Sequence, residues 1–162
     1  MTHPRTSTPS GPSSKRTADG LSPSRSSWQA RVSVTLPNTH PNIDRTLCGE
    51  IVALGEGRAE VELTCDTRMA ADARGLVHGG FTFGAADYAA MLAVNDPNVV
   101  LGAASVSFKA PTRVGQVLRL QAAVTADKGR KREVDVTGHA DGVLVFEGRF
   151  TCFVLDKHVL ET

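Results

Sequence analysis

The sequence has little of what marks several large classes of protein. Its 162 residues include only three cysteines, which lie far apart and show neither the CxxC pattern nor the spacing of zinc ligands. The formal net charge is +1, which argues against nucleic acid as the main partner. No apolar run resembles a signal peptide or a membrane span. We therefore expect a soluble, cytoplasmic protein with reduced thiols and no membrane partner.

The motifs of several common enzyme classes are also missing. There is no G-x-S-x-G, so a serine mechanism of the α/β-hydrolase type is unsupported. Neither G-x-G-x-x-G nor a P-loop occurs, which argues against a bound dinucleotide or nucleoside triphosphate. The five histidines are scattered, without the spacing of zinc ligands. We expect neither a metal nor a cofactor.

Residues 1–36 differ in composition from the rest of the chain. They are rich in Ser, Thr and Pro, and their only acid, Asp19, stands among several basic residues. Such a segment cannot bury enough apolar surface to offset the entropy lost on ordering, so we predict a disordered basic tail. A transit peptide and a contact with nucleic acid are the alternative interpretations. Residues 37–162 have a length typical of one domain.

The pattern of this domain indicates two strands, one helix and then four strands. The first two strands are predicted over 48–54 and 58–64, and alternation in the second indicates a solvated face that carries Glu60 and Glu62. The helix ends at the turn-forming run 95–98. This order predicts an α+β fold in which one curved antiparallel sheet wraps around a single central helix. The later strands are predicted over 99–109, 117–126, 133–139 and 143–155.

The central helix is apolar or small on nearly every face, which is typical of a buried helix. Its one acid is Asp87, whose neighbours include Phe83, Gly84, Ala90 and Met91. A buried carboxylate without a partner is costly, and perturbed acids of this kind cluster at active sites. Asp87 is therefore the first candidate for a catalytic residue.

The loop that leads into this helix is a second candidate. Gly79 and Gly80 leave the backbone uncovered where the helix begins, and free N–H groups at a helix N-terminus suit a developing oxyanion. Asp87 lies about 10 Å further along the same helix. A two-fold dimer with its helices side by side would bring Asp87 of one subunit to the loop of the other. In the alternative interpretation His78 caps the helix and the two glycines only allow close packing.

The run 75–80, GLVHGG, followed by Asp87, resembles the hotdog-fold acyl-CoA thioesterases of the phenylacetate-degradation type and the 4-hydroxybenzoyl-CoA type. The segment 105–111 and Gly115 are similar to the strand that follows the helix in that family, and the resemblance covers residues 40–155. It implies a hotdog domain over 37–162. It also implies a homodimer joined sheet edge to sheet edge, often paired into a homotetramer, with active sites at the dimer interface.

The resemblance also implies roles for individual residues. Asp87 would be the nucleophile or general base, and the N–H groups of Gly80 and Gly79 would polarise the thioester carbonyl. His78 would orient the thioester. The family usually has Asn six positions before this histidine, whereas this sequence has Asp72. We expect Asp87 to be essential and Asp72 to assist, and the reverse assignment is the alternative.

The implied reaction is hydrolysis of an acyl-CoA thioester to the free acid and coenzyme A, and the alternative is a hotdog module that binds acyl-CoA without hydrolysing it. A hydratase ranks third, because its Gly-Asp-x-Asn-Pro pattern is missing. Basic side chains are expected to hold the phosphates of the substrate, unless they are simply solvated. The candidates are Arg113, Lys128, Arg130 and Lys131. Three aromatic side chains line the acyl pocket or belong to the core: Phe81, Phe83 and Tyr88.

Overall fold

The computed structural model describes residues 35–161. The tail predicted over 1–36 falls outside these residues, apart from its last two positions, and stays a prediction. Among the described residues, no helix is both long enough and apolar enough to cross a membrane.

A short helix precedes the sheet. Helix α1 spans Arg45–Cys48, and its N-cap is Asp44, whose Oδ1 accepts a hydrogen bond from the backbone N–H of Thr46 at 2.9 Å. The chain turns into the first strand at Gly49, whose φ of 101° favours glycine. The strand predicted over 48–54 is therefore wrong at its start, because the capped helix holds Cys48.

Six strands form one antiparallel sheet in the order β1-β2-β4-β5-β6-β3. The curved sheet packs against one main helix, which confirms the predicted α+β hotdog architecture. Since the chain runs through that helix between β2 and β3, β3 reaches the far edge of the sheet, opposite β1. The strands are β1 (Glu50–Gly55), β2 (Arg58–Thr64), β3 (Val99–Phe108), β4 (Val117–Lys128), β5 (Lys131–Ala140) and β6 (Val143–Val154).

Helix α2 spans Gly79–Val94 and is the centre of the core. It ends at Asn95, which adopts the left-handed conformation and whose N–H donates to the carbonyl of Met91. Small side chains on α2, including Ala85, Ala86 and Ala89, are fully buried, so the sheet approaches the helix backbone closely. The prediction of a buried central helix is confirmed.

Strand β2 departs from its predicted alternation at one position. Ala59, Val61 and Leu63 are buried as expected, but Glu60 is only 1% exposed. Its carboxylate lies 3.3 Å from the guanidinium of Arg119 and accepts a hydrogen bond from Gln121 at 3.2 Å. The prediction of a solvated side chain at Glu60 is wrong, because partners on β4 allow an acid to be buried there.

Candidate active site

The loop before α2 is fixed by its own polar groups. The Oδ1 of Asp72 accepts hydrogen bonds from the backbone N–H groups of Arg74 at 2.9 Å and Leu76 at 3.1 Å. The N–H of His78 donates to the carbonyl of Met69, at the end of a short 3₁₀ helix, at 2.9 Å. Asp72 is thus exposed at the surface and part of the loop's framework.

His78 stands at the N-cap of α2, but its side chain makes no capping hydrogen bond. The N–H groups of Gly79 and Gly80 have no acceptor among residues 35–161, as expected for the first amides of a helix. The imidazole lies over Gly80, since a Cβ built there would be 3.0 Å from its Nε2. Two free amides and the ring of His78 therefore lie together at the start of α2.

Asp87 is a half-buried residue in the middle of α2. Its Oδ1 is inaccessible to solvent and accepts no hydrogen bond from any described residue, and no described cation pairs with the carboxylate. Burial raises the pKa of Asp87 to about 6. Burial first, and then the negative charge of Asp87, raises the pKa of the Cys152 thiol to about 12.

Asp87 lies on a partly exposed face of α2, which we call the open helix face: Gly80, Phe83, Gly84 and Asp87. These residues are spaced by three, four and seven positions and so share one side of the helix. A Cβ on Gly84 would meet no atom within 4 Å. Within one chain Asp87 and the amide of Gly80 are about 10 Å apart along the helix. A single chain does not bring these two groups together.

The three aromatic candidates have different surroundings. The ring of Phe81 meets that of His78 edge to face, with centroids 6.4 Å apart. Phe83 packs against Phe150 at 5.7 Å. Tyr88 is fully buried and lies 6.1 Å from the ring of His40. A role in binding the acyl group stays a prediction for all three.

The hairpin between β4 and β5 carries three of the cationic candidates. Arg130 pairs with Asp156, and the Nζ of Lys131 lies 2.6 Å from Glu133. The N–H of Val154 donates to the carbonyl of Arg130, which places the hairpin beside the start of β3 and the C-terminal end of α2. The third cation, Lys128, lies next to Lys131 and has no ion pair with a described residue. Within one chain the hairpin is therefore at the opposite end from the loop 75–80.

Arg113 lies near the loop instead. It lines a cavity of about 210 Å³ with Asp72 and Arg74, and its backbone bridges to Leu76. Neither Arg113 nor Arg74 forms an ion pair within the part of the chain that the structure describes. Arg74 was not among the sequence-based candidates, although its position two residues after Asp72 in the motif loop was a usable signal.

A larger cavity, of about 360 Å³, opens beside Gly79. It is the space nearest to the free amides at the start of α2. No group of three or more His, Cys, Asp or Glu side chains among the described residues is arranged to hold a metal ion. The cavity is lined by Val77, Gly79, Thr82, Phe108, Lys109, Ala110, Pro111, Thr112 and Val145.

Comparison with known proteins agrees with this architecture. An uncharacterized protein from Pyrococcus horikoshii of known crystal structure is 50% identical, with a TM-score of 0.77 over 78% of this chain and 98% of that chain. A hypothetical thioesterase from Streptococcus pneumoniae, whose structure contains coenzyme A, is 21% identical and shares the fold, with a TM-score of 0.62 over 67% of this chain and 87% of that chain.

A curated relative, methylthioribose-1-phosphate isomerase of Aquifex aeolicus, is 50% identical over 119 residues, or 73% of this chain. This chain spans only 26% of the length of that relative. The family model described as the thioesterase superfamily matches residues 74–146, which include the loop, the whole of α2 and the strands β3, β4 and β5. Over residues 74–146 the chain matches the thioesterase superfamily, and it has the hotdog fold.

Proposed function

We propose that this protein hydrolyses acyl-CoA thioesters to the free acid and coenzyme A, at sites formed between two copies of the chain. The observation that carries the proposal is the carboxylate of Asp87 on the open helix face, whose Oδ1 is buried without a partner among the described residues and whose pKa is raised to about 6. A base with a pKa just below neutrality is largely ionised at pH 7 and still accepts a proton readily. The match of residues 74–146 to the thioesterase superfamily supports this chemistry.

The second copy completes the site. Strand β3 is an edge of the sheet, and its residues 102–105 are exposed. Two β3 edges that pair antiparallel around a two-fold axis would place the open helix faces side by side. The loop of each copy would then approach Asp87 of the other, which removes the separation of about 10 Å along one helix.

In this arrangement each group has one task. Asp87 takes a proton from water, whose oxygen attacks the thioester carbonyl carbon. The N–H groups of Gly79 and Gly80 hold the oxygen that becomes negative, and His78 orients the thioester sulfur. The C–S bond then breaks, the electron pair leaves with sulfur, and the thiolate takes up a proton. Asp72 assists by fixing the loop through its hydrogen bonds to Arg74 and Leu76.

Coenzyme A requires cations for its phosphates. Arg113 and Arg74 have no ion pair with a described residue and lie beside the loop, whereas Arg130 and Lys131 are each paired with an acid. We therefore assign the first phosphate contacts to the two arginines. The coenzyme A bound to the thioesterase from Streptococcus pneumoniae supports this class of substrate.

The test is release of free thiol from a panel of acetyl-, phenylacetyl- and longer acyl-CoA substrates by the full chain. We expect at least one member of the panel to be hydrolysed. A non-catalytic acyl-CoA-binding module would release no thiol from any member and would still be stabilised against heat by acyl-CoA. The isomerase activity in the name of the Aquifex aeolicus relative is not proposed here, because this chain corresponds to about a quarter of that protein.

A further inference from the structure

The cavity of about 360 Å³ beside Gly79 has mostly apolar walls, among them Val77, Phe108 and Val145. Apolar cavities with a few well-placed polar groups are the usual form of a small-molecule site. Here the polar groups without a partner in the chain are the free N–H of Gly79 and two threonine hydroxyls, whereas Lys109 is paired with Glu147.

Both hydroxyls lack a partner within the chain, although the residues that carry them are largely buried. Thr82 is 4% exposed and Thr112 is 5% exposed, and neither side chain forms a hydrogen bond with any residue in the described range 35–161. By contrast, Thr151 donates to Glu133 at 3.0 Å, so a threonine in this fold can be satisfied by its neighbours. Both residues line the cavity, and neither Oγ1 is among the solvent-inaccessible, unpartnered side-chain atoms of the described residues, so both hydroxyls are open to a ligand that enters the cavity.

The two threonines lie on different walls. Thr82 follows Gly79 by three positions on α2, so both lie on one side of the helix and are about 4.5 Å apart along its axis. Thr112 comes from the segment after β3, and its backbone carbonyl accepts a hydrogen bond from Val77 at 2.9 Å. A chain that extends from a thioester carbonyl at the Gly79 amide into this cavity would pass both hydroxyls.

We propose that Thr82 and Thr112 select thioesters that carry a hydrogen-bonding group, a hydroxyl, carbonyl or amide, on the part of the chain that enters this cavity. The inference rests on the proposed thioesterase function and specifies its substrates. The group has two possible sources, an oxygenated acyl chain or the amide-bearing arm of the thiol. A plain hydrocarbon in the same place leaves both hydroxyls unpaired and is therefore bound less well.

The test uses Thr82→Val and Thr112→Val, which remove a hydroxyl at nearly constant volume. Thr82→Ser retains the hydroxyl and serves as the rescue variant. Thr151→Val is the matched control, since it removes a hydroxyl that already has a partner within the protein. We expect Thr151→Val to lower the melting temperature, and the two cavity variants to leave it unchanged or raise it.

Two pairs of substrates show whether the hydrogen-bonding group belongs to the acyl chain or to the thiol arm. Butanoyl-CoA and 3-hydroxybutanoyl-CoA differ in the acyl chain, whereas the butanoyl thioesters of N-acetylcysteamine and of pentane-1-thiol differ in the amide of the thiol arm. We expect each cavity variant to lower kcat/KM about three- to tenfold for the oxygenated or amide-bearing member of one pair, the size expected for one hydrogen bond. The other member of that pair should change less than about twofold, and Thr82→Ser should restore the selectivity.

The inference is wrong if both members of both pairs respond equally to Thr82→Val and Thr112→Val. It is also wrong if these variants only lose stability, as Thr151→Val is expected to do. Failure of the proposed function has a different signature, namely that the unmodified protein hydrolyses no member of either pair. In that case dissociation constants for the same four compounds replace kcat/KM and decide the selectivity by binding alone.

Discussion

Glu60 is a buried acid and Asp87 has a buried carboxylate oxygen, and the surroundings of the two differ. Glu60 on β2 lies 3.3 Å from the guanidinium of Arg119 and accepts a hydrogen bond from Gln121, both on the neighbouring strand. Asp87 on α2 has an Oδ1 without any partner among residues 35–161. The charge of Glu60 is thus compensated within one chain, whereas the charge of Asp87 is not.

This difference distinguishes an acid that stabilises the fold from an acid that is available for the reaction. A compensated buried acid contributes to stability as long as both partners remain, and its loss leaves an uncompensated cation. An uncompensated buried acid lowers stability whenever it is ionised, and is retained when its reactivity is needed. The comparison therefore assigns Glu60 to the sheet and Asp87 to the reaction, and substitution at each position can test it.

The largest effect is expected from Asp87→Asn. This change removes the base and keeps the shape, so kcat should fall by about 10²–10⁴-fold, the contribution usual for a general base. Stability near pH 7 should stay the same or rise, because an ionised buried group is lost. The measurements are thiol release from the best acyl-CoA of the panel and a chemical unfolding curve. If Asp87→Asn keeps near-normal turnover and Asp72→Asn abolishes it, the two acids have the reverse roles.

The pH dependence of activity and of stability gives the next effect. Since the pKa of Asp87 is raised from 3.8 to about 6, kcat should fall about tenfold for each pH unit below 6. The folded protein binds this proton more tightly than the unfolded chain does, so the contribution to stability is greatest below about pH 4, falls between about pH 4 and 6, and stays low above that range.

Asp87→Asn should remove that fall in stability, which melting temperatures of both proteins from pH 4 to 7 would reveal. A flat activity profile between pH 5 and 7 in the unmodified protein would contradict the assignment of Asp87 as the base.

Glu60→Gln is expected to act on stability alone. It leaves Arg119 without one of its two carboxylate partners, and the free energy of unfolding should fall by about 1–3 kcal/mol. kcat for the folded fraction should remain within about twofold, because Glu60 lies on the side of β2 that faces away from α2. Loss of turnover in protein that remains fully folded would show that the comparison between the two acids is wrong.

The sequence was sufficient for the order of elements and for Asp87. Alternation reveals β2, an apolar run that ends at the turn-forming residues 95–98 reveals α2, and a lone acid in a helix of small residues is visible without coordinates. The burial of Glu60 was missed, because alternation says which side of the strand a residue is on and nothing about what covers that side. The start of β1 was missed because the cap at Asp44 forms a helix too short to have a period of its own.

The candidate site was predictable only where it depends on residues that are close in the sequence. The motif places His78, Gly79 and Gly80 at a helix start, and the structure has them there. Whether a cation or a hydroxyl has a partner depends on strand register and on loops that meet across the fold. The pairing of Lys131 with Glu133 and the unpaired hydroxyl of Thr82 are of this kind, and no spacing in the sequence reveals them.

The smallest predicted effect is on KM, and it tests for cations the same contrast between paired and unpaired charges. Lys131 is compensated by Glu133 at 2.6 Å, whereas Arg113 has no ion pair within the described part of the chain. If uncompensated charge marks the site, Arg113→Glu should raise KM for acyl-CoA by about tenfold, while Lys131→Glu raises it less than about twofold. KM for the N-acetylcysteamine thioester, which has no phosphates, should be unaffected by either change. A larger rise in KM for Lys131→Glu would place the phosphates at the hairpin between β4 and β5, which antiparallel pairing of two β3 edges brings towards the partner's loop. In that case the ion pairs within one chain would not indicate where the substrate binds.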